Sequence, residues 1–336
     1  MALVNEKQLE EYRAAKTSAA FRLLKDRGKI RAEGPDHVSF LHAMLSNEVQ
    51  RLEPHQGRYA AFLTATGKMV ADLYCYRFPA SALLDVQKSL LADVIEKLEA
   101  HLIMDEVELR DESDQYAHVG FLGPGVRRLL EPLLEGRPPE GVCSLTEVSF
   151  DGERGWWIAM HPEDPHDFEV LLPAGGGGGF YGRLIASGLA ELSPETFDLL
   201  RLERGVPLFG VDMDQKNYPM EAGLERAVSL TKGCYIGQEV VARATHIGGV
   251  PRKLRRLQVE GDEPPEAGAE ILGPEGRSVG FVTSAARSPD LSRAIALGYL
   301  KRAHADFNRE FRVRLGSGSQ VRVRVVERFH LPAVTS

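Results

Sequence analysis

Apolar residues Leu9, Tyr12, Ala19, Ala20, Leu23 and Leu24 recur at near-helical spacing through a charged stretch, which predicts an amphipathic helix over residues 6–26, ended by Gly28. A short strand over 29–33 follows, then the turn Gly34-Pro35-Asp36 and a second helix with an apolar face of Val38, Phe40, Leu41 and Leu45. Residues 59–64, the turn Ala65-Thr66-Gly67-Lys68 and residues 69–78 read as strand, turn, strand. Leu90, Leu91, Val94, Ile95 and Leu98 mark a third helix, and residues 104–110 an acidic strand.

A second unit begins near Tyr116, with a strand over 117–122, Gly123-Pro124-Gly125, a helix over 126–134 and later strands over 156–161 and 168–172. The connections are too short for many parallel crossovers, so both units are expected to be α+β with antiparallel sheets. Five consecutive glycines, 175–179, separate the last strand from a helix over 181–188. A glycine loop there could cradle phosphate on backbone N–H groups. The run lacks the Lys-Ser/Thr of a P-loop and the spacing of a dinucleotide fingerprint, so it is read as a flexible connector. His161, Glu163, Asp164, His166 and Asp167 are metal-ligating types, but two prolines in the same polar turn favour a solvated loop, and no metal site is expected.

Ser193-Pro194-Glu195 is a helix start: a capping hydroxyl, proline at the first helical position and an acid at the positive helix end. That helix should carry Leu199, Leu200 and Leu202 and stop at Gly205. Beyond Pro251, β-prone segments over 254–259, 278–283, 294–300, 311–315 and 320–329 are parted by Gly, Pro, Asp and Ser, which predicts an all-β barrel or jelly roll. The expected division is a first α+β unit over 1–115 completed by 191–250, a second over 116–190 and a β-barrel over 251–336.

A net charge of −7 argues against a general nucleic-acid coat. The N-terminal stretch lacks the apolar core of a secretory signal, and no window holds ~18 uninterrupted apolar residues, so no membrane span is expected. Three widely spaced cysteines, Cys75, Cys143 and Cys234, fit neither a disulfide framework nor a C-x-x-C metal site. A reducing compartment, the cytoplasm, follows as the expected location.

The densest chemistry is the run K-G-C-Y-I-G-Q-E-V-V-A-R, Lys232 to Arg243. Gly233 and Gly237 bracket Cys234 and Tyr235, allowing tight turns, and Gln238 and Glu239 open a helix. A thiol near a helix N-terminus and Lys232 favours thiolate chemistry. The competing reading is a small buried cysteine filling a crowded turn. Arg243, Arg252, Lys253, Arg255 and Arg256 fall in a segment with no acid between Glu239 and Glu260, which suits phosphate, polyglutamate or RNA, or else covers a domain junction.

The same run resembles the signature of the YgfZ-type folate-binding proteins, relatives of the glycine-cleavage T-protein associated with iron–sulfur cluster assembly or repair. The resemblance extends through Gly34-Pro35-Asp36 with Phe40-Leu41, Ser46-Asn47-Glu48-Val49, Gly57-Arg58-Tyr59, Thr66-Gly67-Lys68-Met69, residues 200–207 and Pro219-Met220-Glu221-Ala222-Gly223-Leu224. It implies a cloverleaf of two α+β units and a C-terminal barrel around a central hole that holds tetrahydrofolate. By position, Tyr59 resembles a tyrosine lining the folate site, and Glu221 the glutamate that pairs with the pterin edge. T-proteins carry two aspartates after the glycine turn, the first taken as the catalytic acid/base. Here Ala71 stands in its place, and Asp72, expected on the opposite face, should not substitute for it, so aminomethyltransferase activity is not the leading expectation. The leading expectation is a folate-binding protein that serves iron–sulfur client or assembly proteins, with Cys234 as its functional thiol. The rivals are a folate-dependent aminomethyltransferase or demethylase and a tRNA-modification or RNA-binding factor.

Overall fold

The computed structural model describes residues 5–330 except 165, 247 and 248, without the side chains of 244–246, so residues 331–336 of the expected barrel lie outside it. Helix α1 (Glu6–Thr17) starts at a capping box in which the Asn5 side chain accepts from the Gln8 N–H and Gln8 Oε1 accepts from the Asn5 N–H. It stops at Ser18, earlier than the spacing predicts, and Ala20 and Leu23 belong to strand β1 (Ala20–Leu23). That strand is flanked on both sides, and its unbroken apolar start mimics the continuation of the helix face.

Gly28, expected to end that helix, lies inside β2 (Arg27–Glu33), where a Cβ would stand 2.3 Å from Leu91 Cδ1. The glycine admits the following helical layer close to the sheet. After α2 (His37–Met44), strands β3 (Gly57–Leu63), β4 (Met69–Arg77) and β5 (Ser81–Gln87), helix α3 (Leu91–Glu99) and β6 (Glu108–Asp111) complete an antiparallel sheet of order β3-β4-β5-β2-β6. The pattern reading passed over β5 because its buried run lacks period-two alternation. Phe40 and Leu41 from α2 and Val94 and Leu98 from α3 cover one face of the sheet, packing on Ala71, Leu73 and Cys75.

The second sheet runs β11-β1-β7-β10-β9-β8, from β7 (Tyr116–Leu122), β8 (Leu145–Phe150), β9 (Glu153–Ala159), β10 (Phe168–Pro173) and β11 (Ala190–Glu191), with α4 (Val126–Leu130) and α5 (Ala174–Ala186) over its outer face. Residues 20–23, assigned by sequence to the first unit, thus hydrogen-bond in this second sheet. The glycine run is not a connector: all five glycines lie in α5, anchored by buried Phe180 and Leu184. A Cβ at Gly177 would lie 2.3 Å from that of Ala117, whereas at Gly178 it meets nothing within 4 Å. Gly178→Ala is therefore expected to stabilise the protein by about 1 kcal/mol, and Gly177→Ala to destabilise it. Denaturant unfolding checks the pair, and shifts of the same sign would contradict this packing.

Helix α6 (Pro194–Arg204) has the predicted cap, with Ser193 Oγ accepting from the Thr196 N–H, and Gly205 ends it at φ 71°. Irregular chain then folds back over the first sheet, bonding Met69 N–H to Asn217 O and Ser229 N–H to Ser46 O, before α7 (Gln238–His246). Strands β12 (Arg252–Val259), β13 (Glu270–Leu272), β14 (Ser278–Ser288), β15 (Arg293–Lys301), β16 (Glu310–Arg314) and β17 (Gln320–Val326) close a barrel in the order β12-β15-β14-β13-β16-β17. The inner faces of the two sheets meet in one core of Tyr59, Tyr74, Tyr76, Ile158 and Leu171, joined by Phe209 and Leu224 of the returning segment. No helix among the described residues is long and apolar enough to cross a membrane.

Candidate functional site

Tyr59 on β3 faces this shared core, and its hydroxyl donates to Asp72 Oδ2 at 2.8 Å. The register explains the meeting: Asp72 lies opposite Ala61 and Tyr74 opposite Tyr59, whereas Ala71 lies opposite Phe62 on the helix-covered face. The expectation that Asp72 points away from the site is therefore corrected. Positions 71 and 72 do face opposite ways, but 72 shares the face of Tyr59 and 71 is filled by the helical layer. Burial, reinforced by the Asp72 carboxylate, pushes the Tyr59 phenol well above its ordinary pKa, so it remains a proton donor.

The Arg226 guanidinium stacks 4.2 Å from the Tyr59 ring centre and pairs with Asp164, with Glu163 at 3.8 Å. Asn47 Nδ2 donates to Tyr59 O at 2.9 Å and Arg226 O at 2.8 Å, fixing the two backbones together. Around this pair opens a cavity of about 490 Å³ whose wall includes Glu163, Arg255, Arg256, Phe307 and Arg328. Tyr59 and Arg226 also touch a smaller space of about 280 Å³ lined by Arg58, Cys143 and His161. The turn read as solvated folds inward, since Asp164 is fully buried and His166 nearly so. The pairing of Asp164 with Arg226 spans 62 residues and leaves no local signal, which is why Arg226 was missed and Asp164 was read as part of a solvated loop.

Glu221 is buried, but it is Ala222 rather than Glu221 that lines the larger cavity. The Glu221 carboxylate accepts from Asn217 Nδ2 and the Tyr218 N–H, both at 3.2 Å, and lies 3.6 Å from Arg252 Nε.

Residues 2–232 match the GCVT N-terminal domain and residues 252–330 the glycine cleavage T-protein C-terminal barrel domain. The chain belongs to the glycine cleavage T-protein family. A protein named aminomethyltransferase from Streptomyces coelicolor is 30% identical over 313 residues, 88% of this chain and 82% of the relative. Another from Desulfitobacterium hafniense is 28% identical over 333 residues, 95% and 88% of the two chains. The crystal structure of the glycine cleavage system aminomethyltransferase T from Bartonella henselae superposes with a TM-score of 0.86 at 23% identity, over 95% of this chain and 88% of that one, which establishes the shared fold.

In this T-protein family member Cys234 is exposed, unlike Cys75 and Cys143, whose thiols burial pushes up to about 12. The buried-cysteine reading is thereby overturned. Lys232 Nζ donates to the carbonyls of His42, Leu45 (2.6 Å) and Asn47 (3.2 Å) just beyond and within the last turn of α2, and burial lowers it to about 8. Tyr235 is buried, its N–H bonded to Gln238 Oε1 at 3.2 Å, and Gly237, at φ 80°, is held against the β3–β4 turn, 2.5 Å separating its would-be Cβ from Thr64 O. Glu239 and Arg243 are exposed. The motif is thus docked on α2 and that turn, and Cys234 does not line the central cavity. Within the basic segment, Arg252 covers the Tyr299 ring at 4.7 Å, Arg255 donates to Ala305 O at 2.7 Å and Arg256 to Glu327 O at 2.7 Å. These three bind the junction and barrel of the protein itself; Lys253 is half-buried.

Proposed function

We propose that this chain binds a reduced folate in the central cavity and transfers a one-carbon unit, of the aminomethyl type, to or from it. The observation that carries the reading is the hydrogen bond from Tyr59, which lines the cavity, to Asp72, which does not line it but shares that face of the first sheet. Making or breaking a carbon–nitrogen bond at a folate amine requires a proton to leave or arrive, and a positioned carboxylate performs that task. Asp72 is assigned that proton, and Tyr59 holds the carboxylate in place. On the cavity wall Arg328 suits a carboxylate of a folate tail, and Phe307 its aryl body. Glu221 acts from behind the wall by holding Asn217 and Arg252; direct contact with a pterin requires its release from Arg252. Turnover of aminomethyl donors with tetrahydrofolate tests the reading, and no turnover across a donor panel would remove the transferase role.

A second reading rests on the exposed thiol: Cys234, presented by the docked Lys232–Arg243 motif, serves iron–sulfur enzymes as the resemblance to YgfZ-type proteins implies. Cys234→Ser is then expected to fail to restore iron–sulfur enzyme activity in a deletion strain, although the variant still binds tetrahydrofolate. Full restoration would discard the thiol assignment. An RNA-binding role draws less support, because Arg252, Arg255 and Arg256 are engaged within the protein.

A further inference from the structure

A second cavity, larger than the central one at about 750 Å³, opens where the ends of the two sheets meet beneath the first half of α5. Its apolar and aromatic wall is Leu23, Leu24, Tyr116, Ala117 and Tyr181. Its cationic wall is Lys25, Arg27, Lys29 and Lys88. The lining acids are Asp114, which is fully exposed beside Lys88 at 3.6 Å, and Glu191, which accepts from Tyr181 Oη at 2.9 Å.

The inner cations are built in. Lys29 is 2% exposed, and its Nζ lies 3.0 Å from Asp85 Oδ1 and 3.0 Å from His118 Nδ1. Arg27 Nε donates to the same Asp85 oxygen at 2.9 Å, so two cations share one carboxylate oxygen. His118 in turn meets Glu169 at 2.9 Å. Asp85, His118 and Glu169 have a metal-like grouping, but the Lys29 ammonium already lies between Asp85 and His118. Asp85 and Glu169 stand behind the wall, whereas Arg27, Lys29 and His118 line it. On the α5 side, Ala174, Gly177 and Gly178 form the wall, and the helix start has no side-chain cap, so its N–H groups add positive character.

We propose that this cavity is a second ligand site, separate from the central one, for a small molecule with one anionic group on an aromatic or apolar body. The size falls in the range of small-molecule sites, with an apolar lining and a few convergent polar groups. The cationic wall orients the anionic end, and Tyr116, Tyr181 and the leucines cover the rest.

Anilinonaphthalene sulfonate, and its uncharged counterpart N-phenylnaphthylamine, test the proposal by fluorescence titration of the full chain. The sulfonate is expected to bind one per chain and at least tenfold more tightly than the uncharged amine. Gly178 lines the cavity and a Cβ there has no neighbour within 4 Å, so Gly178→Phe, which also replaces a glycine in a helix, is expected to fold and to set its ring at the cavity. It is expected to weaken binding tenfold or more, and Lys25→Glu combined with Lys88→Glu to weaken the sulfonate but not the amine. Unchanged sulfonate affinity in Gly178→Phe would overturn the site, as would no binding below millimolar probe. Equal affinity for the two probes would overturn the anion class.

Discussion

Asp72→Asn is expected to lower one-carbon transfer by a factor of about 10²–10⁴, the usual contribution of a positioned acid or base, while tetrahydrofolate affinity changes little. The amide oxygen still accepts from Tyr59, so the geometry at 2.8 Å is kept and only the exchangeable charge is removed. Single-turnover kinetics beside a binding titration separates the two effects. An unchanged rate would show that Asp72 is not the proton carrier, and a parallel loss of binding would assign it to positioning. Ala71→Asp serves as the counterpart: it puts a carboxylate among Phe40, Leu41 and Leu73 on the helix-covered face and is expected to destabilise the fold without raising activity.

The second large effect concerns the joint between the body and the barrel. Arg201 on α6 and Asp212, with 2% and 0% of their side chains exposed, form a buried ion pair. Arg201 also donates to Val206 O at 3.0 Å and Ser284 Oγ at 3.1 Å, and Asp212 accepts from Thr283 Oγ1 and Ser284 Oγ on β14. Arg201→Met leaves the Asp212 charge buried among hydroxyls, at an expected loss of about 3–5 kcal/mol. Chemical denaturation measures it. Adding Asp212→Leu should recover part of the loss, since the penalty lies in the orphaned charge rather than in the missing attraction. A loss under about 1 kcal/mol in the single variant would mean that water reaches the pair.

Legibility followed the range of the physics. The cap and stop of α6 came directly from Ser193, Pro194 and Gly205, because capping is settled within a few residues. The barrel strands were found by alternation such as Val321, Val323 and Val325, although β13, with its three residues, was too short to register. The poly-glycine segment misled for the opposite reason: its propensity is against a helix, and burial of Phe180 and Leu184 overrides it.

Tyr59, the Lys232–Arg243 motif and the family likeness were legible in the sequence, since each lies in a contiguous run. It also stated correctly that residues 71 and 72 face apart. Which of those faces holds Tyr59 depends on the pairing register of β3 with β4. The partners Arg226 and Asp164, the self-directed bonds of Arg252, Arg255 and Arg256, and the exposure of Cys234 were likewise decided only by tertiary structure. Caps, turns and periodicity act between near neighbours and are written in the sequence. Register across strands and ion pairs across loops are set when distant segments bury one another.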